Sequence, residues 1–156
     1  MEFRAEYYAV LEALSRGGKT AEEVAEVLGV APHDAEAILG ALLARGLVER
    51  REKGLVFKKE VYVLTERGWE ALARWRAEVR DKLERAAELR REGRREEADA
   101  VIAPLEPILP ALLALGVLDL ALYSAALGAA VAVLAETADQ GEEHADEDGD
   151  AGEVEF

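Results

Sequence analysis

The sequence predicts a mainly α protein with one small β-hairpin, followed by a C-terminal helical region. Three observations predict it. Apolar residues recur at spacings of three and four over long stretches, as in helices that bury one side. Between residues 47 and 64 that period gives way to two short β-like runs around a Lys53-Gly54 turn. Beyond residue 110 the chain is apolar almost throughout, until its last 18 residues turn acidic.

The elements follow in order. A first helix over residues 3–15 places Tyr7, Val10, Leu11 and Leu14 on one face, and Gly17-Gly18 ends it. Thr20 and Glu23 have the spacing of a capping box, in which each side chain accepts the other residue's backbone N–H. They open a short second helix over 21–28, closed by Gly29. Pro32 fits the first turn of a third helix, 32–45, where its missing N–H costs nothing, and Gly46 stops it. The β-like runs cover 47–51 and 61–64, and residues 55–59 are left to prolong either arm. Thr65 caps a long helix over 66–92 with an apolar stripe of Trp69, Leu72, Trp75, Val79, Leu83, Ala86 and Leu89. Gly93 breaks it before a short helix over 94–103. Pro104, Pro107 and Pro110 forbid a regular α-helix between them, and 111–138 forms an apolar helix or helices.

Two helices joined by a tight turn must cross steeply, which demands a small residue at the crossing and a glycine in the turn. Ala25 and Gly29 occupy those places, with Val24, Leu28, Val30, Ala35 and Ile38 expected to point inward. That is the spacing of a helix-turn-helix; the alternative is a plain three-helix bundle. The run Tyr62-Val63-Leu64-Thr65-Glu66-Arg67-Gly68 closely resembles the end of the wing in MarR-like and PadR-like regulators. Gly46-Leu47-Val48-Glu49-Arg50 resembles the segment that joins their recognition helix to the wing. The resemblance spans roughly residues 20–72 and implies a winged helix-turn-helix. It also implies double-stranded DNA as partner, transcription regulation, and a homodimer. A small-molecule effector pocket near Trp69, Trp75 or Tyr123 would follow from the same analogy. The chain then divides into a winged helix-turn-helix domain (1–68), a long helix and helical dimerisation region (69–138), and a disordered acidic tail (139–156).

Candidate DNA contacts lie mainly on the wing. Arg50, Arg51, Lys53, Lys58 and Lys59 stand against one acid, Glu52, within residues 50–59. Such a hairpin can lie along phosphates or enter the minor groove. A solvated hairpin whose lysines block edge-to-edge pairing is the plainer reading. The third helix should turn His33, Asp34, Glu36, Ala37, Gly40 and Ala44 outward. His33 can donate to a base or phosphate, and the small Ala37 and Gly40 permit close approach. The chain has no Asn, and its single Gln is Gln140, so the domain cannot make the bidentate amide contact to adenine. Wing contacts and DNA shape would carry the affinity.

For dimerisation the candidates are Trp69, Leu72, Trp75, Val79 and Leu83 on the long helix, with Leu118 and Leu122 from the apolar segment. That segment, 108–135, carries one charge, Asp119, and is long enough to cross a bilayer. Its alanines and Asp119 favour a buried dimerisation helix over a membrane anchor. A protein-interaction module that reuses the winged fold is the other competing function.

No catalytic, metal or cofactor constellation is present in the sequence: it has no cysteine and two distant histidines, His33 and His144. With no apolar leader, the expected location is the cytoplasm, or the membrane with a cytoplasmic winged domain if 108–135 is an anchor. The scarcity of amides and thiols among abundant charges is what heat adaptation produces, and genomic base composition can produce it too.

The net charge of -14 is unevenly spread: residues 139–156 hold nine acids and no base. The tail either keeps an apolar C-terminal region soluble or visits the basic wing in competition with phosphates. In the second case, deleting residues 139–156 tightens DNA binding at low salt. The gain shrinks as salt rises, because screening acts within about 8 Å at physiological ionic strength. Fluorescence anisotropy across a salt series checks this; equal affinities throughout leave only the solubility role.

Overall fold

The computed structural model describes residues 2–128. Three helices, α1 (Ala5–Leu14), α2 (Ala21–Leu28) and α3 (Pro32–Ala44), lead into an antiparallel hairpin of β1 (Val48–Lys53) and β2 (Lys59–Leu64). Helix α4 (Glu66–Arg91) follows, then α5 (Arg95–Ile102), a 3-10 segment (Ala103–Ile108), α6 (Leu109–Leu115) and α7 (Leu120–Leu127). The acidic tail and the end of the apolar segment lie outside the described residues.

Local chemistry sets the boundaries where the sequence placed them. The Thr20 hydroxyl accepts from the Glu23 N–H at 3.1 Å, and the Glu23 carboxylate accepts from the Thr20 N–H at 2.9 Å. Those hydrogen bonds hold the Glu23 carboxyl below its ordinary pKa. Thr65 does two jobs. Its hydroxyl accepts from the Gly68 N–H at 3.0 Å, capping α4, and donates to the Gly46 carbonyl at 2.6 Å, tying the start of α4 to the end of α3.

Helix α1 departs from the one-faced expectation. Every residue from Tyr7 to Leu14 is buried, because α2 and α3, α4, and the 3-10 segment with α6 all pack against it. One of the buried residues is charged. Glu12 is 1% exposed and receives the Arg76 guanidinium in two hydrogen bonds, 2.9 Å from Nε and 2.8 Å from Nη2. The Tyr8 hydroxyl donates to the same carboxylate at 2.5 Å. Burial and that hydrogen bond push the Tyr8 phenol well above its ordinary range, and Glu12 raises the Arg76 guanidinium.

The apolar stripe of α4 starts one residue earlier than the spacing suggests. Gly68 is buried against β1's approach: a Cβ there would lie 2.0 Å from the Leu47 carbonyl oxygen. Only glycine permits this backbone contact. Trp69, the next residue, is therefore rotated off the stripe and is 48% exposed. Leu72, Trp75, Val79 and Leu83 are buried within the chain itself. Their assignment as a dimer seam is thereby corrected: the face that would meet a second copy already meets its own chain. Trp75, for example, takes the edge of Phe3, with ring centroids 5.8 Å apart.

The apolar segment is not one helix. The chain turns at Gly116, and Asp119 starts α7 by accepting from the Ala121 and Leu122 N–H groups. This breaks the membrane-anchor reading of 108–135 as one continuous span. A different stretch, Arg95–Leu115, is long and apolar enough to cross a membrane. Within it Ile102, Leu105, Ile108, Leu109 and Leu112 join the same core cluster as α1. Arg90 fastens α7 and α5 to the end of α4, donating to the Ala126 carbonyl at 2.5 Å and pairing with Asp99. The hydrophobic core thus runs without interruption across residue 68, where the sequence suggested a domain boundary.

Arg76→Ala strands the Glu12 carboxylate and should cost about 2–3 kcal/mol in urea unfolding. That is less than the roughly 3–5 of a fully buried pair, because the Arg76 side chain is half exposed to screening water. Replacing both partners by methionine should cost less than Arg76→Ala alone. Ending the chain at Glu92 strips the 3-10 segment and α6 from α1. The shortened protein should lose cooperative thermal unfolding, measured by circular dichroism.

Candidate nucleic-acid interface

Helices α2 and α3 meet at 110° across the turn. That is a helix-turn-helix crossing and excludes the shallow angles of a simple bundle. Val24, Ala25, Ala35, Leu39 and Leu42 are buried at the crossing, with Leu28 and Ile38 half-buried. Val30 is the exception: expected inward, it is exposed at the turn.

The outer face of α3 is as the spacing predicted. His33, Asp34, Glu36, Ala37, Gly40 and Ala44 are all exposed. His33 Nε2 lies 3.3 Å from the Asp34 carboxylate, so its nearest partner is a neighbour on its own helix. Nothing lies within 4 Å of where a Gly40 side chain would begin, so the surface there is open.

The wing is a six-pair ribbon from Val48↔Leu64 to Lys53↔Lys59. Its loop, residues 54–58, is longer than a Lys53-Gly54 turn, and only Lys59 of the 55–59 run joins a strand. Gly54 has φ +111°, and a Cβ there would meet the Phe57 carbonyl oxygen at 2.4 Å. The loop therefore closes only with glycine at its first position.

Register changes the electrostatics. Within residues 50–59 the five cations face one acid, but folding brings in Glu49 and Glu60. Arg50 pairs with Glu60 at 3.4 Å, Arg51 with Glu49 at 2.6 Å and Lys58 with Glu52 at 3.6 Å. Lys53 and Lys59 sit opposite each other at the end of the ladder, and neither has a carboxylate partner among the described residues. The hairpin keeps a positive excess, and all five cations are exposed. Glu22, Glu23 and Glu60 gather with Lys59 in a shallow concavity between the loop end of the ladder and the start of α2.

Three features leave no trace in the sequence. Lys19 forms a backbone bridge with Tyr62, accepting its N–H at 2.8 Å and donating to its carbonyl at 3.2 Å. A one-residue bridge has no periodic signature, yet it fixes the wing to the start of α2. Arg45, Arg67 and Arg74 converge with Glu70 around a concavity between the end of α3 and the start of α4. They are spread from residue 45 to residue 74, so no local charge run announces them. Finally, a cleft of about 270 Å³ lies between α1, α4 and the α6–α7 junction, lined by Tyr8, Glu12, Arg76, Leu83, Leu118 and Leu122 among others. Leu118 and Leu122, expected in a dimer seam, are half-buried on this cleft of their own chain. Trp69, Trp75 and Tyr123 do not line it.

Residues 4–56 match the MarR family. No curated protein matches the chain. Among solved structures, Bacillus subtilis PadR in complex with operator DNA is similar, with 20% identity over 66% of this chain and 78% of that one, at a TM-score of 0.40. The family match runs from the start of α1 into the loop of the wing, across the 110° crossing and the first strand. Residues 4–56 are thus similar to the MarR family, and the crossing helices with the hairpin that follows them form a winged helix-turn-helix.

Proposed function

We propose that the protein binds double-stranded DNA as a transcription regulator and acts as a homodimer. The observation that carries this reading is the combination of a steep helix-turn-helix with an exposed basic ribbon beside it. Cations on both arms suit phosphates flanking a groove, and the small outer face of α3 lets backbone approach base edges. The acids on α3 offer no anchor to phosphate, so the wing supplies most of the affinity, and recognition rests on shape more than on base-edge hydrogen bonds. Two copies would set two wings on successive turns of the duplex. Among the described residues, exposed Trp69 on α4 and Leu120 at the start of α7 are the large apolar side chains available to such a contact outside the wing and turn. The cleft beside Tyr8 and Arg76 is the site we assign to a small effector, since it touches both α1 of the winged domain and the C-terminal helices.

The decisive experiment changes Arg50, Arg51, Lys58 and Lys59 together to alanine in the full chain. All four are exposed, so the fold should be retained. Gel-shift titrations should show weaker DNA binding and a flatter salt dependence. The log-log slope should fall by about 0.9 for each phosphate that the variant leaves unneutralised. Unchanged affinity and slope overturn the wing's role. If the parent protein binds no duplex at any salt, the winged fold serves protein contacts instead.

For assembly, sedimentation velocity without detergent should give a compact dimer. Trp69→Glu should shift it toward monomer without a change in thermal unfolding.

A further inference from the structure

The end of the wing is apolar. Leu55, Val56 and Phe57 are 98%, 83% and 84% exposed. They lie beyond the last ladder pair, Lys53↔Lys59, in the loop closed by Gly54. No other element covers them among the described residues. Three consecutive large apolar side chains at a hairpin tip invite aggregation unless they serve a contact. The tip projects past its cations, so its occupant must offer an apolar interior behind an anionic rim.

A second copy fits poorly. Two such tips would bring their lysines together, and three side chains fall far short of the roughly 800 Å² per partner of a stable interface. Duplex DNA fits. Its stacked bases are apolar, its two phosphate strands flank the minor groove, and Phe and Leu are side chains that enter base steps from that groove. Lys53 and Lys59 face each other at the last rung behind the tip, and exposed Lys58 stands within the loop, so cations adjoin the apolar side chains as phosphates adjoin the groove.

We propose that Leu55, Val56 and Phe57 form an apolar wedge that the wing inserts between base pairs through the minor groove, unstacking one step and kinking the duplex. This rests on the DNA-binding reading and extends it: the basic arms hold the backbone, and the tip reads deformability. Pyrimidine–purine steps, which unstack most easily, would be the preferred sites. The modest charge excess of the wing is consistent with this, since part of the binding comes from apolar contact. Such contact does not weaken with salt as phosphate contacts do.

The test uses the full chain and a duplex recovered by selection from a random-sequence pool. The duplex carries 2-aminopurine at its TA or CA step and fluorophores at both ends. With the parent protein, 2-aminopurine should brighten on unstacking and end-to-end energy transfer should rise on bending. The Leu55→Ser/Phe57→Ser variant should lose both signals and bind about tenfold more weakly, within the range of one base–aromatic stacking contact. Its salt slope should match the parent's, because the phosphate contacts remain; Phe57→Leu should restore the signals. The tip packs against nothing, so both variants should fold as the parent does, and circular dichroism checks it. A variant that keeps both signals and full affinity overturns the wedge and leaves the DNA reading intact. If the pool yields no duplex for the parent, both fall. Binding to phosphatidylserine vesicles that Phe57→Ser abolishes would then mark the tip as a membrane contact, against the proposal.

Discussion

The burial of α1 on all sides is the constraint on which the rest of the structure depends. A helix packed all round must satisfy any charge it carries, and α1 carries Glu12. An unpaired carboxylate at that depth would be strongly unfavourable. Arg76 answers it from α4 with two hydrogen bonds, and Tyr8 adds a third from the preceding turn of α1. The pair fixes where α4 crosses α1. That position in turn lets Gly68 touch the Leu47 carbonyl and Thr65 bond to Gly46, so the ends of α3 and the wing follow from it.

The same constraint joins the two halves of the chain. The three N-terminal helices and the hairpin do not close the core by themselves. The 3-10 segment and α6 cover the remaining side of α1, and α6 also reaches α2. Arg90 then locks α7 and α5 to the far end of α4. The cleft beside Arg76 lies at this junction. A ligand there would touch α1, α4 and α7 at once, and any shift of α4 would be felt at Thr65 and the base of the wing. The Lys19–Tyr62 bridge makes the wing and the start of α2 move together, so the hairpin and the helix-turn-helix are coupled through backbone hydrogen bonds.

The wing shows how modest its net charge becomes once folded. Three of its five cations have carboxylates within 4 Å, all exposed, and such pairs are weak enough for phosphates to displace. Lys53 and Lys59 have no carboxylate within 4 Å among the described residues, and of the two Lys59 faces the Glu22–Glu23–Glu60 concavity. Lys53, beside the loop, is therefore the most available cation, and the apolar loop extends from there. Electrostatics and apolar contact converge on the same end of the hairpin.

Much of this is legible in the sequence, and the reason is range. Capping boxes, helix-ending glycines and the three-four period act within a turn or so of chain, so Thr20, Glu23, Gly29, Pro32 and Thr65 mark the helix boundaries. Ala25 and Gly29 announce the helix-turn-helix, and the outer face of α3 follows from the helical period alone. What only the tertiary structure decides depends on contacts between distant segments. The period over 66–92 cannot tell Gly68 from Trp69, because the difference is a carbonyl of Leu47 arriving from another element. It shows that Leu72, Trp75, Val79 and Leu83 are buried, but not by what. Charge counting over residues 50–59 misses Glu49 and Glu60 because register brings them in. The apolar run beyond Pro110 hides a turn at Gly116, since a uniformly apolar stretch carries no phase. And α1 looks one-sided because its second partner lies some 90 residues away, in a segment whose prolines say only that it is not a regular helix.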